Sequence, residues 1–349
     1  MISMKIKKTL LFGLLISILL SSCTPELDLN AEYKDITVVF GLLNPSDSTH
    51  YVKIYKGFLT DGNAYEVASY LENISYIDSI DVTLEEYVND EINRTIALDT
   101  TTVISKDPGD FAYPLQILYY TNETLNQNAI YKLKIVNKYS GKVVTGETPV
   151  VNDFVLLSPI ASALNLNIVR ESFIKFKKAT DATAYDIYET FYYFEVDKIS
   201  GEIVKQGSIT RKINNSLLRS QSAEISQPYK PNQIFTSIAN NLEPDNSVIR
   251  YRAGNDCIEM KVWAAEDDYV TYLDVNTQSS GVVLDRNEFT NLISNDKSAL
   301  GIFSSRNVAF KRYDISNASE DSLVNGSLTG NLGFDYYRNY IPSKRGAKR

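Results

Sequence analysis

The sequence predicts a mainly β protein of two β-sandwich-like domains, the second with short helices inserted. Three observations lead there. Apolar residues alternate with a period of two through most strand-length runs, the pattern of strands with one buried face. Tyrosine and phenylalanine number 24 and 14 of 349 residues, and aromatic rings suit a pleated, half-buried surface. One turn occurs twice: Lys138-Tyr-Ser-Gly-Lys-Val-Val144 and Lys198-Ile-Ser-Gly-Glu-Ile-Val204 share K-x-S-G-x-[VI]-V, with glycine supplying the positive φ that such a hairpin requires. Their 60-residue offset is shorter than a sandwich domain of about 100 residues, so this is one hairpin solution used twice and not a repeat array.

The chain opens with Lys5, Lys7 and Lys8, then an uncharged run from Thr9 to Leu20, the charged and apolar regions of a secretory signal. At 1.5 Å per residue that run reaches about 18 Å, short of a hydrocarbon core of roughly 30 Å. It ends in Leu20-Ser21-Ser22-Cys23, which resembles the lipobox of bacterial lipoproteins: an aliphatic residue, two small ones and a cysteine. The resemblance implies cleavage before Cys23, diacylglycerol on its sulfur and an acylated new amino terminus. Residues 1–22 are then the lipoprotein signal peptide and 23–34 a lipidated tether. Several acyl chains exceed what stable anchoring needs, so the expected membrane contact is the lipid anchor and not a span. Thr24 stands where many inner-membrane lipoproteins carry aspartate. The resemblance therefore implies the outer membrane, with the body facing either the periplasm or the cell surface. An ordinary signal peptide with a chance cysteine is the alternative.

Residues 35–151 are expected to form the first β-sandwich domain. In DITVVFGLLNP, Ile36, Val38 and Phe40 share a face before a turn at Asn44-Pro45-Ser46-Asp47, and His50-Tyr-Val-Lys-Ile-Tyr-Lys resumes the alternation. IDSIDVTLEEY and RTIALDTTTVI supply further strands, and Asp107-Pro108-Gly109-Asp110 a turn. Leu125 lies six residues before Tyr131, the spacing of the tyrosine corner in fibronectin type III and immunoglobulin-like sandwiches, where the hydroxyl bonds backbone upstream. The strand, Tyr-Ser-Gly turn and returning strand that follow strengthen the likeness.

The second domain is expected over 152–343, β-rich with short helices, before a basic tail at 344–349. Its long strand in AYDIYETFYYFEVDK places Tyr185, Ile187, Phe191 and Tyr193 on one face and Tyr188, Thr190, Tyr192, Phe194 and Val196 on the other. Aromatics on both faces fit a central strand buried on both sides; they also fit an aromatic platform of Tyr188, Tyr192 and Phe194 that stacks a sugar or peptide. Ile203 to Ile213 pairs back across the turn. Ile234, Phe235, Ile238 and Leu242 recur at helical spacing, CIEMKVWAA is a strand, and EDDYVTYLDVNTQ opens with carboxylates in the manner of a helix start.

The formal net charge is −8, and residues 23–150 carry 19 acidic against 9 basic side chains, a balance opposed to nucleic-acid binding. With Cys23 lipidated, Cys257 has no internal disulfide partner and reads as a small buried apolar residue. His50 reads as a surface or strand-edge side chain, and one histidine cannot form the usual zinc set. No nucleophile elbow, zincin, Walker or dinucleotide motif occurs, so neither a cofactor, a metal site nor a catalytic residue is assigned. S-x-x-K at Ser172/Lys175 and Ser294/Lys297 is at chance frequency. Carboxylates at Glu85-Glu86, Asp90-Glu91 and Glu266-Asp267-Asp268 read as solvated faces or helix starts, lacking the spacing of a calcium loop.

The lipobox, the ITVVFGLLNP opening strand, the KDPGDFAYP turn, the Tyr-x-Leu-x-Ile hairpin and the EFTNLISNDKSALGIFSSR segment together resemble a group of Bacteroidetes lipoproteins classed as a domain of unknown function. The likeness covers most of the mature chain. That group is encoded near TonB-dependent outer-membrane receptors, which implies a receptor-associated role and supplies no catalytic residues. Four Asp-[Ser/Thr] sites, at Ser48, Ser79, Thr100 and Ser322, resemble the O-glycosylation motif of such bacteria. The expectation is a non-enzymatic outer-membrane lipoprotein that binds a receptor protein or a glycan. A glycan hydrolase using two opposed carboxylates and an adhesion or envelope-spacer protein are the alternatives.

Overall fold

The computed structural model describes residues 35–58, 60, 62–102, 106–277 and 289–340; the expected signal peptide, Cys23, the expected tether and the basic tail lie outside them. Alternation at the start of the chain becomes β1 (Thr37–Leu43) and β2 (His50–Lys56), which turn Val39, Leu43, Val52 and Ile54 inward. After two short helices, Ala64–Ala68 and Leu71–Ile74, come β3 (Ile80–Val88), β4 (Glu91–Ala97), β5 (Asp99–Thr101), β6 (Leu118–Thr121), β7 (Ile130–Asn137) and β8 (Val143–Pro149). The later half contributes β9 (Leu156–Ser158), β10 (Ala163–Leu164), β11 (Ser172–Lys177), β12 (Ala184–Asp197), β13 (Ile203–Lys212), β14 (Leu218–Arg219) and β15 (Glu224–Tyr229). Helix Gln233–Asn241 precedes β16 (Val248–Arg252) and β17 (Ile258–Ala265); helix Asp267–Thr277 precedes β18 (Ile293–Ser294), β19 (Ala299–Ile315) and helix Asn317–Asn325.

The protein is mainly β and sandwich-like. One long sheet runs β13-β12-β17-β19-β1-β2-β6-β5, with β10, β14 and β16 attached off this path. Its inner face is packed by two smaller sheets, β18-β8-β7-β3-β4 at one end and β15-β11-β9 at the other. Each packing buries its own core, one built around Leu84, Tyr131, Leu133 and Phe303, the other around Phe176, Tyr185, Phe191 and Tyr313.

The two cores are joined by β19. Its first seven residues pair in parallel with β1, and residues 306–313 pair antiparallel with β17. Because side chains alternate, Ala299 and Phe303 enter the first core while Ala309 and Tyr313 enter the second. Leu292 and β18 also return to the first sandwich, so residues 292–305 pack with 36–151 although they follow the second half in sequence. Gly301 sits at the close approach: its φ is +102° and a Cβ there would run into the Val39 backbone of β1.

The twin turns share their hydrogen bonds. Asn137 Oδ1 accepts from the N–H groups of Tyr139 and Ser140, and Asp197 Oδ1 from those of Ile199 and Ser200. Gly141 and Gly201 then take φ near +70°. The tyrosine corner forms as its spacing predicts: the Asn126 N–H donates to Tyr131 Oη at 2.8 Å, and Leu125 is buried. A second corner, which the sequence reading did not isolate, joins the Ala179 N–H to Tyr185 Oη at 3.0 Å. Its signal is a tyrosine entering a strand six residues after a small residue, without the leucine.

Candidate functional site

The outer face of the long sheet is set by the register that buries the inner one. On β12, Asp186, Tyr188, Thr190, Tyr192 and Phe194 point outward; opposite them on β17 stand Trp263, Lys261 and Glu259, and next on β19 Arg306, Val308, Phe310 and Arg312. Toward the other end the same face presents Phe40 of β1, Tyr51 and Tyr55 of β2 and Tyr120 of β6. Helix Asp267–Thr277 lies across this face between the two groups. Its start is fixed by Glu266, whose buried carboxylate accepts from Ser304 Oγ at 2.6 Å and from the Asp268 N–H at 2.9 Å. Its Tyr272 meets Phe40 edge-on at 6.3 Å.

Against one side of that helix lies a pocket of about 190 Å³ lined by Asp186, Tyr188, Leu217, Trp263, Tyr269, Leu273 and Arg306, together with Ala264 and Ala265. Trp263 is the only tryptophan in the chain. The Arg306 guanidinium stacks on it at 4.6 Å from the ring, an attraction of about 0.5–1 kcal/mol at a half-exposed site. Arg306 Nε is buried and has no hydrogen-bond partner among the described residues. Asp186 Oδ1 is held by Lys212 Nζ at 2.7 Å and Asn214 Nδ2 at 3.1 Å, while among the described residues Oδ2 receives only a long 3.4 Å bond from the Tyr188 hydroxyl. Burial, then the Asp186 charge, pushes the Tyr188 phenol up.

The three rings expected to form a platform are separated by the fold. Tyr188 lines the pocket, and Tyr192 lies farther along β12 beneath the Arg312 guanidinium, 5.1 Å away. Phe194 is buried, stacked with Tyr251 at 5.5 Å and capped edge-on by Tyr340 at 4.8 Å. Phe194 is therefore corrected from platform to core: the chain segment after β19 folds back and covers that end of the strand. Phe310, at 58% exposed, completes the open aromatic surface, and with Trp263 and Arg306 was missed in the sequence. Only pairing of three distant strands brings these residues to one face.

Several polar residues elsewhere are held inside the fold. His50 is corrected from the surface to the interior, 3% exposed, with no well-formed hydrogen bond to either ring nitrogen among the described residues and only a weak approach to the Glu123 backbone. Glu86 is also buried and not solvated, bound by Tyr131, Asn93 and Arg94. Glu189, Glu195, Glu259 and Glu320 each pair with an arginine. Cys257 is fully buried, which pushes its thiol up to about 12. Among the described residues there is no cluster of metal-ligating side chains and no helix long and apolar enough to cross a membrane.

Comparison with known proteins adds no assignment. No family model and no curated protein matches the chain. Among solved structures it is similar to the C-terminal globular domain of oligosaccharyltransferase from Pyrococcus abyssi, at 15% identity and a TM-score of 0.25, over 62% of this chain and 45% of that one.

Proposed function

We propose that this protein is a non-enzymatic, lipid-anchored binding protein of the outer membrane that serves a receptor, and that its working surface is the outer face of the long sheet. The observation that carries the reading is the concentration of Trp263, Tyr188, Tyr192 and Phe310 on strands whose opposite face is already packed. Half-buried Trp263, Tyr188 and Tyr192 with exposed Phe310, interleaved with arginine, have the composition of interaction surfaces, whereas a sheet face that only needs water is polar. The Leu20-Ser21-Ser22-Cys23 sequence supports the anchor and the address.

Crosslinking in native membranes, with mass spectrometry of the linked peptides, tests it. The expected result is links from β17 and β19 to a receptor barrel that disappear in a Trp263→Ala/Phe310→Ala variant. Recovery of no partner, or links that the double variant leaves intact, would overturn the reading. Replacing Cys23 by serine is expected to release the protein from the membrane fraction.

A further inference from the structure

We propose that the pocket beside helix Asp267–Thr277 binds one carboxylate-bearing sugar ring of an acidic polysaccharide; this rests on the reading of the outer face as a binding surface. The first reason is Arg306. Arg94, Arg211, Arg219, Arg250, Arg252 and Arg312 are each bonded to a carboxylate, and the two other unpaired arginines among the described residues, Arg170 and Arg338, are exposed to solvent; Arg306 is half-buried with no carboxylate partner among those residues, and its Nε is buried without a hydrogen bond. A buried donor left unmade is costly, and a guanidinium is shaped to take a carboxylate through two parallel bonds. Stacking on Trp263 at 4.6 Å fixes the plane of that fork before a ligand arrives, which lowers the ordering cost of binding.

The rest of the lining selects a sugar over a peptide carboxylate. Asp186 also faces the pocket, and its Oδ2 retains acceptor capacity beyond the long Tyr188 bond. A cation and an anion in one small pocket match a ligand that carries a carboxylate and hydroxyl donors on the same ring. Tyr188, Tyr269, Leu217 and Leu273 supply apolar walls for its C–H faces. The volume, about 190 Å³, is below the ~300–1,000 Å³ of sites for drug-sized ligands. It therefore admits a single ring, with the remainder of the polymer lying along the open sheet face.

Trp263 is the only tryptophan in the chain, so its emission reports the pocket. Detergent-solubilised mature lipoprotein would be titrated with trimers of galacturonate, glucuronate and mannuronate, and with the neutral trimers of galactose, glucose and mannose. The expected result is a saturable emission change with at least one acid trimer, no response to its neutral counterpart, and at least tenfold weaker binding in Arg306→Gln, with part recovered in Arg306→Lys. Equal binding of acid and neutral trimers, undiminished affinity in Arg306→Gln, or no response to any acid would overturn it. Tighter binding of a short peptide through its free C-terminal carboxylate would overturn the sugar class. Should Arg306→Gln lower the melting temperature, the carboxyl-reduced form of the responding trimer makes the same test on the unaltered protein. Receptor crosslinks of the unaltered protein without any acid preference would sink this proposal alone; absence of crosslinks from the unaltered protein would sink the binding reading itself.

Discussion

Each sandwich buries a tyrosine corner and a glutamate, and the two are wired differently. In the first, the Tyr131 hydroxyl accepts from the Asn126 N–H and donates to Glu86 Oε2 at 2.5 Å, so corner and carboxylate form one network. Glu86 also receives Asn93 Nδ2 at 2.6 Å and Arg94 Nε at 2.9 Å. In the second, Tyr185 serves only the Ala179 N–H, and Glu189 receives Arg211 Nε at 2.5 Å on Oε2 while its Oε1 is buried with no partner among the described residues. Burial is the largest influence on both carboxyls and raises both. At Glu86 the bonds from Tyr131, Asn93 and Arg94 outweigh it and hold the pKa below its ordinary 4.5; at Glu189 one arginine does not, and the pKa stays raised. Desolvation is thus common to the two sites, and the number of donors decides the sign.

The largest predicted difference follows from removing the cation. Arg211→Met leaves Glu189 buried without a countercharge and is expected to lower the unfolding free energy by about 3–5 kcal/mol. Arg94→Met leaves Tyr131 and Asn93 still donating to Glu86, with an expected loss of about 1–3 kcal/mol. Urea unfolding of the two variants at neutral pH measures both, and equal losses would break the comparison.

A smaller effect separates the corners. Tyr131→Phe and Tyr185→Phe each orphan a backbone N–H, at about 1–3 kcal/mol, but only the first also removes a donor from a carboxylate. A double-mutant cycle of Tyr131→Phe with Glu86→Gln should show coupling of about 0.5–3 kcal/mol. Tyr185 and Glu189 are four residues apart on β12, about 13 Å along the strand, so Tyr185→Phe with Glu189→Gln should add to within about 0.5 kcal/mol. Coupling of similar size in both cycles would show the second site to be a network as well.

The pH dependence should run in opposite directions. With its folded pKa depressed, Glu86 contributes stability that is present above pH 4.5 and lost as pH falls through the folded value. With its folded pKa raised, Glu189 does the reverse: stability is lost as pH rises from 4.5 through the folded value. Glu86→Gln should therefore flatten the acid side of the stability profile, and Glu189→Gln should remove the decline above pH 4.5. Profiles of denaturation midpoint against pH for the two variants check the signs.

Local devices were legible in the sequence and long-range ones were not. The Ser140-Gly141 and Ser200-Gly201 turns could be read because their hydrogen bonds close within five residues of Asn137 and Asp197. The Tyr131 corner could be read for the same reason, as could the helix Gln233–Asn241 with its buried Ile234, Phe235 and Ile238. Period two gave the two faces of β12 correctly, but a period cannot say what lies on each face. Phe194 and Tyr188 share a face, yet Tyr340 covers the first while the second opens on the pocket. The candidate site depends on β12, β17 and β19 lying side by side. Arg306 reaches Trp263 only because Ala265 pairs with Arg306 across two strands 41 positions apart in the chain.

His50 yields the smallest effect and extends the contrast to neutral pH. Alternation along β2 puts it inward with Val52 and Ile54, against the expectation of a surface or strand-edge side chain, because the neighbouring sheet that covers it is distant in sequence. Burial lowers its pKa from the ordinary 6.5, partly opposed by the Asp47 charge and by an approach to the Glu123 backbone. A histidine depressed in the folded state binds more protons when unfolded, so its contribution is complete above pH 6.5 and lost as pH falls from there through the folded value. It is the chain's one histidine, and the buried thiol of the second sandwich, pushed up to about 12, does not titrate in that range. Mild acidification should accordingly loosen the first sandwich before the second. Hydrogen exchange at about pH 7.5 and about pH 5.5 should show faster opening of β1, β2 and β6 at the lower pH, with β12 and β17 unchanged. His50→Phe keeps a ring in the site, removes the titratable nitrogens and should abolish the difference. Persistence of the same acid response in His50→Phe would place the sensitivity at a group other than this histidine, and not at Glu189, whose raised pKa makes acidification stabilising there.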